Sequence, residues 1–127
     1  MKAKNLSIFC LVSILLTGCA PKAYSPPAPP VKISKPSSEE QSAFQKAIIE
    51  SLNDPDSAKF NDQMILVDDK AACVGVNAKN TFGGYTGFQQ AMFMKLDGIG
   101  WQLMKVANVS QEVCAKALHM TVINENH

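Results

Sequence analysis

The chain has 127 residues, with 12 basic and 11 acidic side chains and a formal net charge of +1. Residues 37–127 hold seven lysines against all 11 acids, and this acidic balance disfavours nucleic-acid binding. The two histidines, His119 and His127, lack ligand spacing with any cysteine, so we expect no metal site and no other cofactor.

The first 18 residues have the pattern of a secretory signal peptide. Lys2 and Lys4 form a positive start, and an apolar stretch follows over residues 6–16. That stretch is shorter than the roughly 20 apolar residues that a membrane-spanning helix needs. Residues 1–18 are therefore predicted to be removed on export.

The signal ends in Leu16-Thr17-Gly18-Cys19, which resembles the bacterial lipobox. The resemblance implies cleavage before Cys19 and lipidation of its thiol, and two or three acyl chains anchor a protein stably. The alternatives are an ordinary signal peptide with a chance cysteine, or an uncleaved anchor. Ala20 is not the aspartate of the enteric inner-membrane signal, so we expect a lipid anchor in the outer membrane, facing the periplasm.

Residues 19–37 are predicted to be a tether. Six of the seven prolines lie between Pro21 and Pro36, and such a segment favours extended polyproline II structure. We expect it to act as a soluble spacer between the lipid and one folded domain over residues 38–127, which is large enough for a single modest core.

The domain is predicted to begin with an amphipathic helix over residues 38–53. Ser37 with Glu40, and Ser38 with Gln41, form two overlapping capping boxes. Apolar residues then recur at helical spacing (Phe44, Ala47, Ile48 and Leu52). Pro55 restricts the residue before it, so the helix is expected to stop there. The turn 54–60 then returns Phe60 to the core.

The remainder favours antiparallel strands and a final helix. Strands are predicted at 64–67, 72–78, 88–96 and 101–107, and a short helix at 110–118 whose inward residues are Val113, Ala117 and Leu118. The fold class is a small α+β domain: a helix, an antiparallel meander of three to four strands, and a short helix.

Cysteine counting predicts one disulfide. Cys10 leaves with the signal and Cys19 is lipidated, so Cys73 and Cys114 remain as a pair in an oxidising compartment. A disulfide between these two cysteines would close a loop of about 40 residues, and would stabilise the fold by about 4 kcal/mol on the chain-entropy model. The alternative is two buried free thiols.

The most distinctive stretch is VNAKNTFGGYTGF, residues 76–88. Its glycines can take the positive φ of a tight hairpin, and a turn alone would explain them. Exposed aromatic residues beside polar ones also suit a contact surface for a protein or glycan. The candidate partner-binding residues are Lys79, Asn80, Phe82 and Tyr85.

Two motifs together carry a family resemblance. DPDSAKF (54–60) followed by VNAKNTFGGYTGF (76–88) resembles a small domain that recurs in bacterial envelope and phage-related proteins of unassigned function. The resemblance covers about 35 residues and implies a shared fold but no catalytic residue. This chain departs from the pattern in reading Cys73-Val74-Gly75, with the glycine one place later, which predicts an altered local backbone such as a bulge.

The function favoured by these features is a non-catalytic binding or assembly module in the envelope. No catalytic residue is predicted, because His119 is expected just past the last helix and His127 ends the chain, neither placed for a nucleophile. The expected partners are the membrane, through the lipid, and an envelope protein. Alternatives are a periplasmic inhibitor of a hydrolase such as lysozyme, a small subunit of a secretion complex, or a purely structural lipoprotein.

Overall fold

The computed structural model describes residue 18 and residues 20–126. A short strand β1 (Ile33–Ser34) precedes helix α1 (Ser38–Ser51) and a single 3₁₀ turn (Pro55–Ser57). Four longer strands follow: β2 (Lys59–Val67), β3 (Ala71–Asn77), β4 (Gln89–Leu96) and β5 (Gly100–Ala107). Helix α2 (Gln111–Glu125) ends the chain. The predicted lipidation position, Cys19, lies outside the described residues.

The five strands form one antiparallel meander in the order β1-β2-β3-β4-β5. The predicted count of three to four strands is therefore wrong. The additional strand, β1, lies within the proline-rich segment predicted to be a tether, and pairs Ile33 with Val67 and Ser34 with Leu66. The sheet thus takes part of that segment into the fold.

The two helices cover opposite faces of the sheet. Alternate residues of β3 and β4 point to each face, so α1 packs on Val74 and Phe93, whereas α2 packs on Cys73 and Met94. Both central strands are consequently buried on both faces, which explains why β3 reads as an almost continuous apolar run. The mixed α+β class with one disulfide is confirmed.

Helix α1 begins as predicted. Ser37 Oγ accepts from Glu40 N–H, and Glu40 Oε2 accepts from Ser37 N–H, which completes a capping box. Glu40 also accepts from Trp101 Nε1, and these bonds lower the pKa of its carboxyl, the one from the Ser37 backbone most strongly. The helix ends at Ser51, two residues before the predicted end.

Two other boundaries differ from the predictions by several residues. Strand β2 begins at Lys59, so Phe60 enters the core as a strand residue and not from a turn. Helix α2 runs seven residues beyond Leu118, and its Val113 and Ala117 are exposed, although both were predicted to face inward. His119 lies inside that helix and is buried, not past its end.

The displaced glycine does mark an irregular backbone. The β2–β3 register shifts between Phe60 and Met64, and the side chain of Asn61 lies against Gly75. A Cβ at residue 75 would lie 2.3 Å from Asn61 Oδ1, so a larger residue here would have to displace the Asn61 side chain. The bulge is carried by β2, opposite the glycine.

The predicted disulfide is present. Cys73 on β3 is bonded to Cys114 on α2, with Cα atoms 6.3 Å apart and a sequence separation of 41. It fixes the second helix to the centre of the sheet. No helix among the described residues is both long enough and apolar enough to cross a membrane.

Candidate functional site

The candidate site is the connection between β3 and β4, residues 78–88, which we call the glycine loop. A bridge between Lys79 and Tyr85 narrows it to a small closed hairpin. At its tip, Asn80 N–H donates to the Gly84 carbonyl (2.9 Å) and Gly83 N–H donates to the Asn80 carbonyl (3.0 Å). Gly83 has φ of +80°, a conformation that side chains disfavour, so this turn needs its glycine.

The side chain of Asn80 holds the tip from inside. Its Oδ1 accepts from the backbone N–H groups of Phe82 (2.9 Å) and Gly84 (3.1 Å). An Asn side chain can satisfy nearby backbone donors in this way, which explains the residue type here. The tip is therefore internally bonded, although it contains two consecutive glycines.

Ser57 ties the glycine loop to the 3₁₀ turn after α1. Its Oγ–H donates to the Asp54 carbonyl (2.7 Å), and the same oxygen accepts from Lys79 N–H (2.9 Å). Its carbonyl accepts from the Tyr85 hydroxyl (2.9 Å). Ser57 is buried, so these bonds are shielded from water. The two motifs that carry the family resemblance are thus physically joined through one serine.

The four predicted partner-binding residues are brought together, with different exposure. Phe82 is 95% exposed, whereas Tyr85 is 39% exposed and fixed through its hydroxyl. The ammonium nitrogens of Lys59 and Lys79 lie 4.3 and 5.8 Å from the centroid of the Tyr85 ring. Such cation–π contacts stabilise the arrangement modestly.

A small recess of about 140 Å³ adjoins the loop. Its walls come from the end of α1 at Leu52, from the loop at Lys79 and Thr86, and from the edge strand at Val106. The loop thus presents a projecting phenyl ring and two nearby ammonium groups, and its residues Lys79 and Thr86 line the recess.

The opposite end of the sheet carries a second hairpin turn, Asp68–Asp69, which we call the Asp turn. Both residues have positive φ (52° and 57°), a conformation that Asp tolerates better than most side chains, within the connection 68–70 between β2 and β3. The turn holds residues 29–34, which we call the strap. Lys32 N–H donates to Asp68 Oδ1 (2.9 Å), Asp68 N–H donates to the Lys32 carbonyl (2.8 Å), and the Lys32 ammonium pairs with Asp69. That pairing, through its hydrogen bond above all, lowers the pKa of Asp69.

His119 fastens the strap from the other side. Its Nδ1 lies 2.5 Å from Asp68 Oδ2 and its Nε2 lies 2.9 Å from the Pro29 carbonyl. Both partners are acceptors, so both ring nitrogens must donate, which requires the imidazolium form. The hydrogen bond to Asp68 is the main cause of a raised His119 pKa, which burial opposes and the Pro29 carbonyl supports. The segment predicted to be a free spacer is therefore docked at residues 29–34.

A larger apolar groove of about 590 Å³ lies between the strap and α2. One wall consists of Pro29, Val31 and Ile33 of the strap itself, so the groove exists only while the strap is docked. Both ring nitrogens of His119, which lines it, are already used within the chain. The groove thus gains no free polar group from that histidine.

The sequence analysis did not identify three residues that hold the glycine loop or the Asp turn in place: Ser57, Lys59 and Asp68. Each acts across a long sequence separation: Ser57 reaches Lys79 over 22 positions, and Asp68 reaches His119 over 51. The DPDSAKF motif was the available signal for Ser57. In the described part of the chain, no three His, Cys, Asp or Glu side chains are grouped as a metal site.

Comparisons of this chain with known proteins found no match. No protein-family model matches the chain, and no curated protein or solved structure matches it.

Proposed function

We propose that this protein is a lipid-anchored envelope protein that binds a partner through the glycine loop, without catalysing a reaction. The observation that carries the proposal is the pairing of a rigid loop with a solvent-exposed ring. The backbone around Phe82 is held by Asn80 and, through Tyr85 and Ser57, by the body of the domain. The phenyl ring itself is 95% exposed.

An exposed ring on an ordered loop is suited to binding. Aromatic anchors contribute much of the affinity in protein interfaces, and a surface that is already ordered loses little conformational entropy when a partner covers it. A purely structural turn needs no apolar side chain at its tip. The preformed loop therefore favours a contact surface over a simple connection.

The position of the loop supports the same function. The glycine loop and the Asp turn follow opposite ends of β3, whose seven residues span about 23 Å. The strap, which leads back towards Cys19, contacts the Asp-turn end. With a lipid on Cys19, the loop would face away from the membrane-proximal end and into the compartment.

A crosslinking experiment in cells tests the binding surface. A photo-reactive amino acid replaces Phe82, and the matched control replaces Ile99, which is 68% exposed in the turn between β4 and β5. We expect a discrete adduct at position 82 and none at 99. An absence of adducts at 82 in a folded, exported protein would contradict a partner at this loop. The mass of the adduct separates a soluble hydrolase from a large membrane assembly.

The anchor is tested separately. We expect metabolic labelling of the chain with palmitate, and we expect Cys19→Ala to abolish the label and release the protein from the membrane fraction. Unchanged labelling and fractionation of that variant would contradict lipidation at Cys19.

A further inference from the structure

The chemistry of the partner can be inferred from the charges around the glycine loop. Lys59 begins β2 and Lys79 follows β3, and both ammonium groups converge on the ring of Tyr85. The two nitrogens are therefore separated by at most the sum of 4.3 and 5.8 Å. Two like charges are thus gathered at one surface, on a chain region whose overall balance is acidic.

Neither of these two lysines belongs to an ion pair in the part of the chain that the structure describes. The sequence from Lys70 to Leu96 contains lysines but no aspartate or glutamate. The carboxylates nearest to Lys59 in the sequence, those of Asp54, Asp56 and Asp62, pair with neither lysine. Both ammonium groups are therefore available to pair with an anionic group.

Two polar side-chain atoms of the loop already have partners within the chain. Asn80 Oδ1 accepts from two backbone N–H groups, and the Tyr85 hydroxyl donates to Ser57. The surface also carries the two ammonium groups, the phenyl ring of Phe82 and the adjoining recess. Because the ammonium groups are its charged groups, an anionic partner is favoured over a neutral one.

We infer that the surface of Lys59, Lys79, Phe82 and Tyr85 docks a segment of a partner protein that carries Asp or Glu carboxylates beside a small apolar side chain. The carboxylates pair with the two ammonium groups, and the apolar side chain enters the recess of about 140 Å³. The inference rests on the proposed binding function. A lipid headgroup of the anchoring membrane is disfavoured because the strap lies at the opposite end of the sheet.

The test uses the full chain in cells with the photo-reactive side chain at position 82. Lys59→Gln with Lys79→Gln removes both charges, and Lys59→Arg with Lys79→Arg retains them. Lys105→Gln, at an exposed position on β5, is the matched control for loss of a lysine elsewhere. We expect the double Gln variant to lower the adduct yield about tenfold, and the double Arg and Lys105 variants to keep it. Melting temperatures confirm that each variant is folded.

The crosslinked partner segment is then mapped by mass spectrometry, and we expect it to be rich in Asp and Glu. An adduct that survives the double Gln change, or that the double Arg change also abolishes, overturns the charge-based inference and leaves the binding function standing. An adduct to a glycan overturns the protein partner. No adduct at position 82 beyond the Ile99 control overturns both the inference and the proposed function.

Discussion

The glycine loop and the Asp turn are the two hairpin connections of β3, and they are built in opposite ways. The Asp turn is short, acidic and satisfied by the chain itself, through Lys32 of the strap and His119 of α2. The glycine loop is long and basic, and its backbone is satisfied while its charges and Phe82 are not covered. The Asp-turn end of the sheet holds the strap, whereas the glycine-loop end is available to contact another molecule.

The difference shows where charge pairing is complete and where it is not. At the Asp turn, two carboxylates meet an ammonium and an imidazolium group. At the glycine loop, two ammonium groups meet an aromatic face. Among the described residues, acidic and basic side chains are therefore paired at the Asp turn, whereas the two lysines at the glycine loop form no ion pair.

The largest effect is expected from the disulfide, which holds α2 and therefore His119 to the sheet. Replacing both cysteines, Cys73→Ala with Cys114→Ala, should lower the free energy of unfolding by about 4 kcal/mol, because the unfolded chain loses the crosslink. Unfolding in a chemical denaturant measures this change in the free energy of unfolding. Wild-type protein reduced by a thiol is the matched control, since it keeps both side chains.

The same variant sharpens the comparison of the two ends. Hydrogen exchange should rise first in α2 and at the Asp turn, which depend on the helix, and less in the glycine loop. Earlier exchange at the glycine loop, or equal stability of the oxidised and reduced protein, would contradict this account.

The next largest loss of stability is expected at the glycine-loop end of the sheet. Ser57→Ala leaves the N–H of Lys79 without its acceptor and removes one of the two donors to the Asp54 carbonyl, and should cost about 1 to 3 kcal/mol. Ser51→Ala is the matched control, because the Ser51 hydroxyl only donates to a carbonyl within α1. Amide exchange at Lys79 should rise in the Ser57 variant alone. Equal stability of the two variants would show that Ser57 does not hold the loop.

As the pH rises from neutral, a pH-dependent effect is expected at the Asp turn. The pKa of His119 is raised, chiefly by its hydrogen bond to Asp68, so its contribution is complete below the unfolded value of about 6.5. That contribution is lost as the pH rises through the elevated folded pKa, when the ring keeps one N–H for two acceptors. Denaturant unfolding curves should show that the free energy of unfolding decreases as the pH rises from the unfolded pKa of His119 through its elevated folded pKa.

His119→Gln should remove that pH dependence, whereas His127→Gln, the matched control for the other histidine, should retain it. In the wild type, limited proteolysis within residues 20–31 should also increase as the pH rises. A pH dependence that persists in the His119 variant would contradict the assignment of the strap contact to this residue.

The smallest effect on stability is expected at the tip of the glycine loop. Phe82→Ala removes a side chain that is 95% exposed, so the free energy of unfolding should change by no more than about 0.5 kcal/mol. Partner affinity should nevertheless fall by about 2 kcal/mol, as for a truncated anchor. Ile99→Ala is the control for loss of an exposed apolar side chain. A destabilised Phe82 variant would instead indicate a structural role for the ring.

The elements predicted correctly from sequence are those fixed by local signals. Helix α1 follows from a capping box within four residues and apolar spacing over about two turns. The disulfide follows from counting cysteines in a chain that the sequence predicts to be exported. The central strands follow from their apolar runs, because burial on both faces leaves little polar sequence in them.

The missed features depend on distant partners. Strand β1 has only two residues, and its pairing with β2 is formed across more than 30 positions. The first half of β2 is mostly polar, and a bulge interrupts its pairing with β3 where Asn61 lies against Gly75, so it lacks the regular alternation of a strand. The candidate residues of the glycine loop were identified, but their fixation by Ser57 was not, since no local pattern shows which backbone a serine will meet.

The strap would have a mechanical consequence for a chain held at Cys19 by the proposed lipid. Any force that pulls on the chain ahead of Pro29 acts first on the strap contacts, and reaches α1 only after residues 29–36 have peeled away. Those eight residues release about 26 Å of extended chain. The strap can therefore yield under tension and lengthen the connection, while the disulfide-linked core remains unloaded and folded.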